Sequence, residues 1–319
     1  MILGIIILAL IVLAIIGCLA CFYVCFYAPN KVAPNPYGPV HGEQAEELKE
    51  QIYANTSRME EVEFESVTIQ SFDGLKLFGR YYHQKDGAPV QILFHGYRSM
   101  ALRDCAGGFL MARKLGFNVL VVDQRAHGNS EGHVITLGIF ERRDCLSWIR
   151  YINERFGKET PIVLSGTSMG AATVIMATAL PMPDNVLCVL ADSPYTSPAE
   201  ILKQYCKNRM IPTWIVYPLI RIAARYIGGF KLEQTSAIEA VGVSPIPILV
   251  LHGDEDRIVP CTMGAKIHDL SNDCTRLKLF MGADHCLSYL LEPKLYEMTV
   301  LGFLKQFPAL EAFIASVEV

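Results

Sequence analysis

Six short, predominantly apolar runs recur in the second part of the chain, at residues 90–94, 118–122, 161–164, 186–191, 246–251 and 277–280. A strand with one wet face alternates apolar and polar positions, whereas a run that is apolar throughout has both faces covered. Longer stretches with helical spacing separate the six runs, so the pattern predicts βαβ units and a parallel sheet with helices on both sides. Upstream the rhythm differs. Residues 62–65 alternate, 67–69 follow, and Asp73-Gly74 is a hairpin signal ahead of 75–82. The folded domain is therefore placed at residues 61–319, opening with an antiparallel pair.

Residues 2–28 carry no charged side chain and exceed the roughly 20 residues that a bilayer-crossing helix needs. A cleaved signal peptide has a shorter apolar core behind a basic segment, which this chain lacks. Ile15-Ile16-Gly17-Cys18 resembles a lipoprotein cleavage box, but that too normally follows a basic segment. The reading is a retained single-pass anchor over residues 1–28. Lys31, the sole basic residue nearby, leaves the side of the membrane open, and use of the Asn55-Thr56-Ser57 sequon depends on the host. Pro29, Pro34, Pro36 and Pro39 predict a stiff spacer. Residues 43–57 then predict a short polar helix with Ala45, Leu48 and Ile52 on one stripe, seating the anchor within a 29–60 linker.

Ligands of open α/β sheets bind beyond the C-terminal ends of the strands, and that is where the chemistry-bearing residues of this chain cluster. The third apolar run leads into Gly166-Thr167-Ser168-Met169-Gly170, followed by a small-residue helical stretch at 171–177. Strand, sharp turn and helix in that order form a nucleophile elbow, with Ser168 exposed above a helix N-terminus. The first run ends in His95-Gly96-Tyr97, the second in a polar loop over 123–132 that includes Asp123, Ala126 and His127. The backbone N–H groups of Tyr97 and Met169 are the candidate oxyanion hole. His95 reads as a loop-holding residue, and the 123–132 loop as a brace. The last two runs end in His252-Gly253-Asp254-Glu255-Asp256-Arg257-Ile258-Val259-Pro260 and Gly282-Ala283-Asp284-His285. Acyl transfer by serine needs a base for the hydroxyl proton and a carboxylate to orient that base. Ser168, an aspartate of the 252–260 loop and His285 supply these roles in the chain order Ser…Asp…His.

From about residue 62 to the C-terminus, these five motifs in this order resemble the serine α/β-hydrolase superfamily. The likeness is greatest to bacterial membrane-anchored hydrolases of the serine-aminopeptidase-like and carboxylesterase-like branch. The resemblance implies the α/β-hydrolase fold: a mostly parallel eight-stranded sheet with an N-terminal antiparallel hairpin and a short helical cap insertion, here preceded by one transmembrane helix. It also implies Asp256 as the catalytic acid, with Asp254 second, from the pattern H-G-x-x-D-x-x-V-P. One departure is Ala126, where many relatives have glycine, and it bears on the shape of the bracing loop. The serine nucleophile separates this chain from dehalogenases of the same fold, which attack with aspartate.

Composition adds limits. Of 319 residues, 51% are hydrophobic, enough for one large α/β domain and an appendage. A formal net charge of −4 without a long basic run argues against nucleic acid as a partner. The seven cysteines beyond the apolar N-terminus are scattered and lack C-x-x-C spacing, so they suit buried thiols better than zinc or a disulfide framework. About fifty residues, near 194–245, exceed a plain crossover and read as the cap. Leu219, Ile222, Ala223, Tyr226 and Ile227 form one helical stripe there, with Arg221 and Arg225 on another face. Cap packing is the plainer expectation, and contact of Trp214 and Tyr217 with the membrane interface is the sharper one. The functional expectation is a membrane-anchored serine hydrolase that needs no metal or organic cofactor and acts on a small-molecule, lipid-like or peptide acyl substrate. The alternative is a membrane-bound binding or scaffold protein that keeps the fold without the chemistry.

Overall fold

The computed structural model describes residues 1–29, 35–40, 42–271 and 274–317; Lys31 and Pro34 lie outside the described residues. A 24-residue helix, α1 (Ile2–Cys25), leads to a helix pair, α2 (Glu43–Glu47) and α3 (Lys49–Glu60). The expected single helix over 43–57 is thus divided at Leu48, whose backbone leaves the helical region (φ −93°, ψ 6°). An antiparallel pair follows, β1 (Glu65–Gln70) and β2 (Lys76–Tyr82), joined through the Asp73-Gly74 turn. Next come β3 (Val90–Phe94), α4 (Ala101–Asp104), α5 (Ala106–Lys114), β4 (Asn118–Val122), α6 (Glu141–Phe156), β5 (Ile162–Thr167), α7 (Met169–Ala177) and β6 (Val186–Asp192). The cap holds α8 (Pro198–Asn208), α9 (Thr213–Tyr226) and α10 (Ala237–Val243). The chain finishes with β7 (Ile248–Gly253), α11 (Cys261–Asp269), β8 (Thr275–Phe280), α12 (Ser288–Leu291), α13 (Pro293–Leu304) and α14 (Pro308–Ala315).

The eight strands form one sheet in the order β1-β2-β4-β3-β5-β6-β7-β8, antiparallel at β1/β2 and β2/β4 and parallel from β4 to β8. The predominantly apolar runs have a direct cause. In β3, Val90, Ile92 and Phe94 enter the core on one side of the sheet, and Leu93 enters the core on the other. Leu120 and Val122 of β4 likewise point one way, Val119 and Val121 the other. Helices α6, α7 and α10 cover the first face, and α3, α5, α13 and α14 the second. This is the α/β-hydrolase fold.

Helix α1 is long and apolar enough to cross a membrane, by length and composition. Residues 2–16 are exposed all round, while 17, 18, 21, 22 and 25 form a helical stripe that turns inward. That stripe packs on α9, where a side chain at Gly17 would press against Leu219. The exit from α1 is woven into the domain. Phe26 is fully buried, Tyr27 bridges Val134, the Ala28 N–H donates to the His133 carbonyl (2.8 Å), and the Ile135 N–H donates to the Phe26 carbonyl (2.8 Å).

In α9 the expected stripe is redrawn. Ile220, Ala223 and Ala224 are buried, whereas Ile222 and Tyr226 stand on the exposed face with Arg221 and Arg225. The difference arises because α9 packs against α1 as well as the body of the domain, and a single-face pattern cannot foretell two partners.

Candidate active site

Strand β5 ends at Thr167 and α7 starts at Met169, so Ser168 is the whole turn between them. Its backbone lies at φ 55°, ψ −114°, a region L-residues rarely enter and one that the surroundings must enforce. The enforcement comes from two glycines. A Cβ on Gly166 would collide with the backbone of Gly170 and Ala171, and one on Gly170 with the carbonyls of Phe94 and His95. The Ser168 N–H donates to the Asp192 carbonyl at 2.8 Å. The side chain is thereby lifted off the strand end, as the sharp turn requires.

Three strand ends bring their side chains together at this point. His285 Nε2 lies 2.9 Å from Ser168 Oγ, and its Nδ1 lies 2.7 Å from Asp256 Oδ2. The geometry fits a hydroxyl donating to Nε2 while Nδ1–H donates to the carboxylate. The other Asp256 oxygen accepts from the Ile258 and Val259 N–H groups at 2.9 and 2.7 Å. Burial opposes the Asp256 charge, yet hydrogen bonds from His252 and His285 hold its carboxyl well below the usual range. Burial also opposes a charged His285, but the bond to Asp256 and its negative charge, with Asp192 and Asp104 farther off, raise its pKa above the usual 6.5. Asp254 takes a different post. Its Oδ1 accepts from the Gly282 N–H at 2.6 Å and does not reach the imidazole.

Among the described residues, the backbone N–H groups of Tyr97 and Met169 find no hydrogen-bond acceptor within the chain. Met169 is the first residue of α7, where an N–H has no intrahelical partner. The Tyr97 loop is fixed from several sides. Asp104 accepts from the Gly96 N–H (2.9 Å) and the Ser99 hydroxyl (2.6 Å). The Tyr97 hydroxyl donates to the Cys25 carbonyl (2.8 Å), and the Arg98 guanidinium donates to the carbonyls of Val24 (3.0 Å) and Tyr27 (2.8 Å). The carbonyls left unpaired at the end of α1 are thus satisfied by the loop that carries the candidate oxyanion donor.

Two further histidines near the strand ends, His95 and His127, serve the backbone. His95 Nε2 accepts from the Gln124 N–H at 3.0 Å, and His127 Nε2 accepts from the Arg98 N–H at 3.0 Å. Burial, with His95 alongside, lowers the His127 pKa to about 3, so the ring stays neutral. Asp123 bonds Arg80 (2.9 Å) and the Asn129 N–H (3.0 Å) and leaves His127 alone. Ala126 adopts φ 63°, the left-handed conformation that glycine takes at lower cost. In the same loop, Arg125 makes paired bonds to both oxygens of Asp144 (2.6 and 2.7 Å) and of Asp73 (2.9 and 3.1 Å).

Gln44 of α2 holds the His285 loop from outside. Its Nε2 donates to the Gly282 carbonyl and its Oε1 accepts from the Asp284 N–H, both at 2.7 Å. Ala45, Ile52 and Asn55 from the same helix pair line the cavity above Ser168, which measures about 560 Å³. The segment read as a seat for the anchor is a wall of the site, and the sequon asparagine lines that cavity. Gln44, Asp104, Arg98 and the buried Asp192 are site components that pattern reasoning did not single out. Each acts on backbone or on a neighbouring loop, and nothing in local spacing marks such a partner.

The profile of the family described as serine aminopeptidase, S33 matches residues 88–232. The uncharacterized protein YqkD of Bacillus subtilis (strain 168) is 24% identical over 246 residues, 77% of this chain and 80% of that protein. The lysophosphatidylserine lipase ABHD12 of Danio rerio is 28% identical over 169 residues, 49% of this chain and 40% of that protein. Among solved structures, the Pyrococcus furiosus esterase Pf2001 superposes with a TM-score of 0.63 at 22% identity, over 87% of this chain and 99% of that one.

Proposed function

We propose that this chain, a member of the α/β-hydrolase superfamily, is a membrane-anchored serine hydrolase that cleaves an ester, thioester or amide through an acyl-enzyme at Ser168. The observation that carries the reading is the continuous hydrogen-bonded line from Ser168 Oγ through His285 to Asp256 at the floor of a cavity open to ligand. Ser168 Oγ attacks the substrate carbonyl carbon while His285 Nε2 takes the hydroxyl proton. The tetrahedral oxyanion is met by the N–H groups of Tyr97 and Met169, whose dipoles are already aimed. His285 returns its proton to the departing alkoxide, thiolate or amine, and the acyl group stays on Ser168. Water then repeats the sequence and restores the serine. Asp256 holds the imidazole in the required tautomer and stabilises the imidazolium that forms twice per turnover.

An esterase and a lysophospholipid lipase among the similar proteins favour an ester over an amide. The cavity fits this, with Leu93, Leu287 and Leu290 along its walls and Arg103 and Arg257 on its lining. Helix α1 supplies the tether. A fluorophosphonate probe tests the chemistry: wild type should label covalently and Ser168→Ala should not. A folded wild type that stays unlabelled would favour the non-catalytic scaffold. A panel of p-nitrophenyl acyl esters of rising chain length, beside aminoacyl-anilides, then separates esterase from aminopeptidase.

A further inference from the structure

We infer that helix α9 lies in the boundary layer of the bilayer, so that the cap is a second membrane contact beside the span. The inference rests on the reading of α1 as a transmembrane helix and goes beyond it. From Ile2 to Gly17 the helix rises about 22 Å at 1.5 Å per residue, whereas the hydrocarbon core is about 30 Å thick. The next turn and a half of α1 must therefore also be at hydrocarbon depth. That turn is where α9 packs, at Gly17 and Leu219. Lipid around this level of α1 meets α9 on its open side.

The open side of α9 has the composition such a position calls for. Residues 214, 215, 218, 221, 222, 225 and 226 are exposed and share one helical face. Trp214 is 80% and Tyr226 76% exposed, and Met210 at the α8–α9 corner is 93% exposed. Large apolar groups bared together mark a contact surface. Tyr217, paired with Trp214 in the sequence reading, turns inward instead and donates to Glu233. The charge pattern matches as well. Residues 200–233 hold six lysines and arginines (Lys203, Lys207, Arg209, Arg221, Arg225, Lys231) against two carboxylates, Glu200 and Glu233, which pair with Lys203 and Arg221, in a chain of net charge −4. A basic helix with aromatic and aliphatic residues on its other positions suits an anionic lipid surface.

Trp148 is buried and Trp214 is the other tryptophan, so the fluorescence difference between wild type and Trp214→Phe isolates the cap. The full-length protein is reconstituted in phosphatidylcholine vesicles with or without phosphatidylglycerol, and carbonate resistance is checked first. The expected result is that brominated phosphatidylcholine quenches the Trp214 emission by roughly half or more while iodide leaves it unchanged, and that phosphatidylglycerol strengthens the bromolipid effect. Iodide quenching without bromolipid quenching, in carbonate-resistant protein, would overturn the inference and leave the tether standing. Protection from both quenchers with a cross-linked dimer would assign the face to a second copy and equally overturn it. Release by carbonate would bring down the tether and the inference together.

Discussion

Ser168 and His285, the proposed nucleophile and base, are held in opposite ways. Ser168 is fixed by backbone on backbone: two glycines seat the turn against neighbouring chain segments, and its own N–H is tied to the next strand. His285 sits in a loop beyond β8 that is gripped by side chains, from Asp254 inside the domain and from Gln44 across 240 residues of sequence. The first arrangement is unavoidable once the strand and helix form. The second depends on a separate element arriving in place. The serine's position is thus a property of the fold, and the histidine's aim depends on the helical segment that follows α1.

Substitutions at four positions probe that contrast. Ser168→Ala removes the attacking atom and should lower kcat about a million-fold in an ester hydrolysis assay, as in other serine triads. Asp256→Asn should cost about ten-thousand-fold and also move the pH profile. His285 must be neutral to accept the serine proton, so activity rises with pH through its pKa. The Asp256 carboxylate raises that pKa above 6.5, so the acidic limb of kcat/KM should lie above pH 6.5 in wild type and shift to lower pH in the variant. A limb that stays put would deny Asp256 its place. Gly170→Ala drives a methyl into the Phe94 and His95 carbonyls. It should reduce activity roughly a hundred-fold and lower unfolding stability by about 1–3 kcal/mol, read by denaturant titration.

Substitution at Gln44 should have the smallest effect and the most telling one, with Gln44→Ala the larger of two changes there. Loss of the outer grip lets the His285 loop drift, so kcat should fall roughly ten-fold while KM and the melting temperature move little. Gln44→Glu still accepts from the Asp284 N–H but no longer donates to the Gly282 carbonyl, and should fall between wild type and alanine. Equal kcat in all three proteins would reduce Gln44 to packing.

What the sequence disclosed follows the same division. The strands of the parallel sheet are legible because residues such as Val90, Leu93 and Leu120 feed cores on both faces, which leaves a predominantly apolar signature. Ser168 is legible because the turn needs glycine on both flanks. Ala126, where the family resemblance leads one to expect glycine, holds a left-handed backbone that glycine adopts at lower cost. By contrast, the bonds from Gln44 to residues 282 and 284, and from Tyr97 and Arg98 to the end of α1, pair side chains with distant main chain. Such contacts impose no periodicity, and many polar residues would look the same in their place. The buried face of α9 was misplaced for a related reason: its second partner, α1, is nearly two hundred residues away.

The splice at residues 26–28, where the exit of α1 pairs with the 133–135 segment, leaves no slack between anchor and body. If α1 spans a bilayer as proposed, a body mounted this way would turn about the membrane normal with little freedom to nod or reach. Its mouth would then stay at a constant altitude above the lipid, within range of scissile bonds presented at that altitude. Encounter would become a search in two dimensions, which favours molecules that dwell at the surface over those that merely pass through solution.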